Sequence, residues 1–199
     1  MGIIMEKIPI SKVVVVEGRY DKIALENVID AFILTTDGFG IFKNEEKSAL
    51  FRRLAAEKGL LVLSDSDGAG LVIRNYFNSI IPKEQLTHLY VPKIEGKERR
   101  KSKASREGLL GVEGMSRELL YKLFLPFADH AKREEIDEIT LFTLYEDGFR
   151  GKEGSETMRK KLLVAAGLPD NLSAKAAVMA INLLGGRKFY QAVLEKLNS

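Results

Sequence analysis

The sequence predicts an α/β protein in which a parallel sheet is flanked by helices, followed by a small all-helical region. Up to residue 91, short apolar runs rich in β-branched residues alternate with segments whose apolar residues recur at helical spacing. After residue 135 no apolar run of strand type recurs, and only helical periodicity remains. With 45% hydrophobic and 30% charged residues, the 199-residue chain has the composition of a globular protein with a substantial core.

Four strands are predicted in the first half, over residues 12–17, 31–36, 60–64 and 86–91. The intervening helices are predicted from Asp21, which can cap the first of them, over 44–58, and over 70–81. Gly59 and Pro82 supply stop signals after the second and third helices. Strands that alternate with helices at this spacing form parallel sheets with right-handed crossovers.

A change of character near residue 125 predicts a domain boundary. A helix capped by Ser116 is predicted over 115–124, and residues 125–135 have the composition of a connector. Three further helices are predicted over 156–166, over 174–184 with Ser173 as cap, and over 187–197. The predicted organisation is therefore a domain at 1–124 with a basic loop at 93–106, the connector, and a helical C-terminal domain at 136–199.

The composition excludes several classes of site. The chain has no cysteine, which excludes disulfides, thiolate catalysis and thiolate zinc sites. Its two histidines, His88 and His130, do not suffice for a histidine metal cluster, so any metal would be a hard cation with oxygen ligands. The apolar runs are too short for a membrane helix, and the N-terminus does not resemble a signal peptide. A cytoplasmic protein without a membrane partner is expected.

Positive charge is concentrated between Lys83 and Arg106. This segment contains eight Lys or Arg residues against three Glu, with "GKERRKSK" at its centre. Such a concentration is typical of a surface that binds a polyanion. A solvated loop without a partner accounts for the same pattern equally well.

Acidic side chains follow two of the predicted strands. Glu17 comes directly after the first strand, and Asp65 and Asp67 come directly after the third. If these strands are neighbours, three carboxylates converge at the carboxyl edge of the sheet, where open parallel sheets bind ligands. Crowded carboxylates raise each other's pKa unless a cation intervenes, and Mg²⁺ takes few protein oxygens while keeping waters for a phosphate. The pattern therefore predicts a magnesium site.

These acids also have purely structural explanations. Aspartate and glycine are common turn residues after any strand, so the Asp-x-Asp pair taken alone is weak evidence. A helix cap accounts fully for Asp21, and Asp37 is a typical turn residue. The glycines Gly18, Gly68 and Gly70 predict an open rim that a nucleic-acid backbone can approach closely.

Two stretches, "VVVVEGRYD" and "LLVLSDSDGAG", resemble the Toprim domain of topoisomerases, bacterial primases, recombination proteins and several nucleases. The Toprim motif has a Glu-Gly after the first strand, an aspartate four residues beyond the Glu, and an Asp-x-Asp-x-x-Gly after a later strand. The residues that match are Glu17, Gly18, Asp21, Asp65, Asp67 and Gly70. The resemblance implies a Toprim-type parallel sheet.

Within the Toprim proteins, the layout is similar to the ribonuclease M5 family, the maturases of 5S ribosomal RNA. That family has a lysine-rich segment before a Gly-x-Gly-Val-Glu run, and the corresponding stretch here is "KIEGKERRKSKASREGLLGVEGMS". The tail "GLPDNLSAKAAVMAINLL" resembles the family's helical C-terminal domain. The chain departs from the family pattern at Tyr20, where an acid is usual, at Ser66, where a proline is typical, and at Asp37, where an asparagine is typical.

The resemblance implies a magnesium-dependent endoribonuclease that cleaves structured RNA, with the 5S rRNA precursor as substrate. Asp65 and Asp67 would hold one or two Mg²⁺, with Mn²⁺ as the alternative, while Glu17 shares the metal or positions and deprotonates water. Asp21 and Glu113 are additional candidates. The helical domain would be a second grip on the RNA or a dock for the 5S-binding ribosomal protein. The residues expected to bind the RNA are Arg19, Lys97, Arg99, Arg100, Lys101, Lys103 and Arg106.

Other functions share parts of this pattern. A non-hydrolytic Toprim protein that binds nucleic acid and recruits partners is the main alternative, and a Toprim DNA nuclease is another. A phosphatase of the haloacid dehalogenase type also uses Asp-x-Asp, but on the first strand of its domain, and a Thr or Ser stands where this chain has Ala69. The chain is too short for the separate tyrosine domain of a topoisomerase.

Overall fold

The computed structural model of the protein describes residues 6–36, 45–96, 108–129 and 136–198. Three features predicted from the sequence lie outside these ranges: the turn at Asp37, residues 97–106 of the basic loop, and residues 130–135 of the connector.

The strands of the described residues form two sheets in which every pair is parallel. One sheet has four strands in the order β4-β2-β5-β6, and the other pairs β1 with β3. The strands are β1 (Ile8–Pro9), β2 (Val13–Val16), β3 (Ile29–Asp30), β4 (Ile33–Thr35), β5 (Leu60–Ser64) and β6 (Leu86–Tyr90). The four predicted strands are confirmed, although β2 and β4 are shorter than predicted, and the pair β1–β3 is an addition.

The helices agree with the predictions to within two residues, except at two places. They are α1 (Arg19–Glu26), α2 (Glu45–Lys58), α3 (Gly68–Ile80), α4 (Arg117–Phe124), α5 (Leu141–Glu146), α6 (Ser155–Ala165), α7 (Ala174–Leu183) and α8 (Gly186–Asn198). The short helix α5, capped by Thr140, was not predicted because six residues are too few to display a helical period. The second exception is the start of α1.

Helix α1 begins before Asp21, so the prediction that Asp21 is its N-cap is wrong. Gly18 is the N-cap, and Asp21 lies in the first turn. The Asp21 carboxylate reaches back and accepts a hydrogen bond from the Gly18 backbone N–H at 2.9 Å, as the third helical residue does in a capping box. The predictions that Ser116 caps α4 and Ser173 caps α7 are confirmed.

The chain divides into two compact units, one of Met1–Lys43 with Lys58–Arg133 and one of Asn44–Glu57 with Glu134–Ser199. The sheets belong to the first unit. Strands β2 and β5 are fully buried, as central parallel strands are. Alternate residues of both strands share one hydrophobic core with residues of α1, of α4 and of a 3₁₀ turn at Val112–Gly114. This packing fixes α1 and the turn beside the sheet.

The second unit contains α2 and the C-terminal helices. Buried Asn182 of α7 pairs with both backbone groups of Ile139, accepting from its N–H and donating to its carbonyl, each at 2.9 Å. Tyr190 of α8 donates to the Asp147 carboxylate at 2.7 Å. These buried contacts hold the ends of α5 against α7 and α8. Residues 44–57 group with this unit, whereas the domain limits predicted from the sequence place them in the first domain.

Among the described residues, no helix is both long and apolar enough to span a bilayer.

Candidate active site

Adjacent parallel strands bring the predicted acids to one edge of the four-stranded sheet. Strand β2 pairs with β5, and Val15 lies opposite Val62. Glu17 follows β2 and Asp65 follows β5, so both leave the sheet at its carboxyl edge. The metal-site prediction depended on these two strands being neighbours, and that condition is met.

The carboxylates of Glu17 and Glu113 both act electrostatically on that of Asp21, and the three are called the acid cluster below. Burial raises the pKa of Asp21 to about 6, and the negative charges of Glu17 and Glu113 act in the same direction. Hydrogen bonds from the backbone N–H groups of Gly18 and Glu113 to the Asp21 carboxylate oppose this rise. A cation bound beside the cluster would favour the ionised form of Asp21.

Asp65 is held through both its side chain and its backbone. Its Oδ1 accepts a hydrogen bond from the Val112 backbone N–H at 3.0 Å, and its carbonyl oxygen accepts one from Arg74 Nη1 at 2.9 Å. The Val112–Gly114 turn therefore contacts both strand ends, because Val112 binds Asp65 while the N–H of Glu113 binds Asp21. This turn orients the two aspartates with respect to each other.

Asp67 caps helix α3. Its Oδ1 accepts a hydrogen bond from the Gly70 backbone N–H at 2.8 Å. A Cβ on Gly70 would lie 2.0 Å from the Asp65 carbonyl oxygen, so glycine alone fits there. Gly70 is buried, and the prediction that it forms an open rim is therefore wrong. It allows α3 to approach the end of β5 closely.

Arg74 is a residue of the site that the sequence did not predict. Its Nη1 donates to Ser64 Oγ at 2.8 Å as well as to the Asp65 carbonyl oxygen, and its guanidinium lies 5.0 Å from the ring centroid of Tyr90. It thus joins the ends of β5 and β6. The sequence does contain one indication of this role. Arg74 lies two helical turns after the cap Asp67 and therefore on the same side of α3.

Magnesium fits the donor chemistry of this edge, because the predicted ligands Glu17, Asp65 and Asp67 all offer carboxylate oxygens, which hard cations prefer. Among the described residues, no three acidic or histidine side chains are placed to hold one ion together. Mg²⁺ does not require such a cage, since it is often bound by one or two carboxylates together with waters and substrate phosphates. That Glu17, Asp65 and Asp67 are metal ligands stays a prediction.

The cations predicted to bind RNA lie mostly outside the described residues, namely Lys97, Arg99, Arg100, Lys101, Lys103 and Arg106. Arg19 is exposed at the first position of α1. The basic loop at 93–106 is called the basic segment below. The described residues at and beyond its two ends pair in antiparallel fashion: Gly96 N–H donates to the Gly108 carbonyl and Leu110 N–H to the Ile94 carbonyl. The segment therefore leaves and returns at one place, directly before the Val112–Gly114 turn.

The sequence was compared with family models and with known proteins. No family model matches the sequence. A ribonuclease M5 from Fusobacterium nucleatum is 28% identical over 191 residues, which are 95% of this chain and 97% of that protein. A ribonuclease M5 from Clostridium botulinum is 30% identical over 159 residues, which are 80% of this chain and 81% of that protein.

Among solved structures, a small TOPRIM domain protein from Bacillus stearothermophilus superimposes with a TM-score of 0.44 at 22% identity, over 61% of this chain and 90% of that one. The family assignment depends on the sequence relatives, whose matches extend over most of both chains. The chain belongs to the ribonuclease M5 family.

Proposed function

We propose that this chain is a magnesium-dependent endoribonuclease that cleaves structured precursor RNA, with the 5S rRNA precursor as its substrate. The observation that supports this most is the Val112–Gly114 turn, which hydrogen-bonds Asp65 and Asp21 at the edge where Glu17 and Asp67 also stand. A group of carboxylates of this kind can hold the metal ion that promotes phosphodiester hydrolysis. Membership of the ribonuclease M5 family supports RNA as the polymer.

The carboxylates would have different roles in the reaction. Asp65 and Asp67 would hold the metal, because backbone N–H groups already fix their orientation. When bound, Mg²⁺ activates water and offsets negative charge on the phosphate. Glu17 either shares the metal or positions the attacking water and takes its proton. Asp21, whose pKa of about 6 lies near neutral, is an alternative acceptor for that proton.

The RNA backbone would be bound by the basic segment and Arg19. The described residues at and beyond the two ends of the segment pair with each other directly before the turn that carries Glu113, since Ile94 and Gly96 bond to Leu110 and Gly108. Contacts with phosphates position a substrate without reading its sequence. Specificity for a folded RNA would then come from its shape.

The second unit would dock the 5S-binding ribosomal protein. Helix α5 exposes Phe142 and Tyr145, with 64% and 46% of their surfaces accessible, and their rings stack 6.4 Å apart. Residues 136–154 around this pair contain five Asp or Glu and two Lys or Arg. An exposed aromatic pair in acidic surroundings suits a basic protein better than a polyanion.

Cleavage of a 5S rRNA precursor tests the proposal. We expect the full chain to cut the precursor in Mg²⁺ and not in EDTA, with a rate that increases when the 5S-binding ribosomal protein is added. The substitution Asp65→Asn should lower the rate by about 10²-fold or more while leaving the unfolding curve unchanged, because asparagine still accepts the Val112 hydrogen bond. Asp170→Asn, at an exposed position of the second unit, is the matched control.

The other outcomes decide between the alternatives. Binding of structured RNA without cleavage in Mg²⁺ or Mn²⁺ would assign the chain to the non-hydrolytic Toprim proteins. Cleavage of duplex DNA in preference to RNA would make it a DNA nuclease. Full activity of Asp65→Asn would remove Asp65 from the metal site.

A further inference from the structure

A cavity of about 430 Å³ lies beside the acid cluster and has no part in the chemistry proposed above. It is in the first unit, between helix α1, the start of α4 and the N-terminal segment. Its lining residues are Lys7, Ala24, Asn27, Met115, Arg117 and Leu120. A volume of this order is sufficient for a small organic ligand.

The lining divides into an apolar floor and a charged rim. Met115 and Leu120 are buried members of the hydrophobic core, and Ala24 packs against the same core. Lys7 and Arg117 are exposed at the rim, so two positive charges stand above a rigid apolar surface. A flat apolar group that carries negative charge at its edge fits this arrangement, and a nucleotide is such a group.

The cavity shares two of its walls with the acid cluster. Ala24 and Asn27 lie three and six residues after Asp21 on α1, which is about 5 to 9 Å along the helix axis. Met115 follows Glu113 by two residues. The cavity is therefore within reach of a nucleotide that neighbours one bound at the acids.

Asn27 can supply hydrogen-bond selectivity inside the cavity. Its Nδ2 donates to the Ile23 carbonyl oxygen at 3.1 Å and uses one of its two hydrogens there, so that the amide keeps Oδ1 as an acceptor for a ligand. An acceptor at this place suits the amino and imino donors on the Watson–Crick edge of a base. Such an edge is accessible only when the base is unpaired.

We propose that this cavity is a subsite for one unpaired, unstacked nucleotide of the RNA, next to the bond that is cut. The base lies on Met115 and Leu120, Asn27 accepts a hydrogen bond from its edge, and Lys7 and Arg117 hold the flanking phosphates. The proposal deepens the proposed function and rests on it for the identity of the polymer. It makes a distorted or bulged strand, rather than a continuous duplex, the form that the chain cleaves.

Mononucleotide binding tests the cavity independently of cleavage. AMP, GMP, CMP and UMP are titrated in EDTA into the full chain with ¹³C-labelled Ala, Met and Leu methyl groups, and NMR shifts are recorded. We expect saturable shifts at Ala24, Met115 and Leu120, which Ala24→Phe should abolish by filling the cavity. Ile23→Phe is the matched control, because Ile23 is the neighbouring residue and is 43% exposed.

The charged rim is tested in the same titration. Lys7→Ala and Arg117→Ala should each weaken nucleotide binding about three- to tenfold, because each removes one phosphate contact. Lys58→Ala, at the exposed last position of α2 and in the same unit, should leave binding unchanged. Absence of shifts at the three methyl groups, or equal shifts in Ala24→Phe, would overturn the subsite.

A labelled substrate links the cavity to the RNA. The Asp65→Asn variant binds 5S precursor RNA that carries 2-aminopurine at nucleotides on either side of the mapped cut, in EDTA. The described residues of the lining include no aromatic side chain, so a base that leaves the RNA stack for the cavity should gain several-fold in fluorescence at one position, and Ala24→Phe should remove the gain. Cleavage without this gain or the methyl shifts overturns the subsite alone. Methyl shifts without any cleavage uphold the subsite and overturn the proposed function.

Discussion

The two strand ends that form the candidate site are built differently. After β5, backbone N–H groups bind both aspartates, Arg74 binds the Asp65 carbonyl oxygen, and the Ser66 hydroxyl binds the Val91 carbonyl oxygen. Beside the end of β2, burial raises the pKa of Asp21, and the negative charges of Glu17 and Glu113 add to the rise. One strand end is thus held rigidly by hydrogen bonds, whereas the other accumulates negative charge at a cost in stability.

This difference indicates how the edge of the sheet can be both stable and reactive. The β5 end has the fixed geometry that metal ligands need, since a displacement of about 1 Å can lower a rate considerably. The β2 end has the unfavourable electrostatics that a bound cation relieves. Natural proteins retain such local strain where function requires it.

The largest loss of stability is expected from a substitution at the β5 end, which hydrogen bonds hold rigidly. Gly70→Ala would place a Cβ 2.0 Å from the Asp65 carbonyl oxygen, so α3 must move away from β5. We expect a loss of about 3 kcal/mol in the free energy of unfolding, measured by urea denaturation, together with loss of cleavage.

The same substitution at the other strand end is its control. A Cβ on Gly18 would meet only Asp21 Oδ2, at 3.7 Å, which is an ordinary van der Waals contact. Gly18→Ala should therefore cost less than about 1 kcal/mol. Equal losses for the two variants would contradict the description of the β5 end as the more rigid one.

Removing the negative charge of Asp21, beside the end of β2, should raise the free energy of unfolding instead of lowering it. The pKa of Asp21 rises from 3.8 in the unfolded chain to about 6 in the folded one, so protonation favours folding below pH 4 and this contribution is lost as the pH rises through 6. In EDTA at pH 8, Asp21→Asn should raise the free energy of unfolding by about 1 to 3 kcal/mol. Most of the gain should disappear near pH 4, where Asp21 is protonated in the folded wild-type protein.

Urea denaturation at the two pH values measures this gain, with Asp170→Asn as an exposed control. Added Mg²⁺ should reduce the difference between wild type and Asp21→Asn, because it stabilises the ionised cluster. A gain of the same size at both pH values would mean that the repulsion is not its cause.

Arg74 should have a smaller effect that a spectroscopic signal can follow. Arg74→Met removes the donor to the Asp65 carbonyl oxygen and should cost about 1 to 2 kcal/mol of stability and about tenfold in cleavage. Burial lowers the pKa of His88, and the positive charge of Arg74 lowers it further. The pKa of His88, followed by NMR, should therefore rise in Arg74→Met.

Arg52→Met, at an exposed arginine of α2 in the second unit, is the matched control and should leave the pKa of His88 unchanged. An unchanged His88 pKa in Arg74→Met would place the arginine away from the end of β6.

The sequence was sufficient for the sheet and for the acids at its edge, because these depend on local patterns. The runs 13–16 and 60–64 are apolar, and the acids follow them directly. It was insufficient for Arg74 and for the role of Gly70, since both depend on how closely α3 approaches β5. The link between Asp65 and Val112 joins residues 47 positions apart, and no local pattern encodes such a contact. Asp21 was predicted to be the N-cap of α1 because aspartate is common there. The sequence does not reveal that α1 starts earlier and that the Asp21 carboxylate binds the Gly18 N–H.

The smallest effect on stability is expected from the basic segment, which belongs to neither strand end. Replacing Arg99, Arg100 and Lys101 by alanine removes three positive charges outside the hydrogen-bond networks described above. The free energy of unfolding should stay unchanged, while affinity for structured RNA at low salt falls.

Each lost phosphate contact lowers the slope of log K against log salt by about 0.7 to 0.9, so the slope should decrease by about 2 to 3. Filter binding between about 50 and 200 mM salt measures it, and Lys58, Lys122 and Lys188, replaced together by alanine, provide a control of equal charge at exposed helix positions outside the basic segment. An equal change of slope in both triple variants would mean that net charge, rather than a phosphate-binding segment beside the acids, determines how this chain holds RNA.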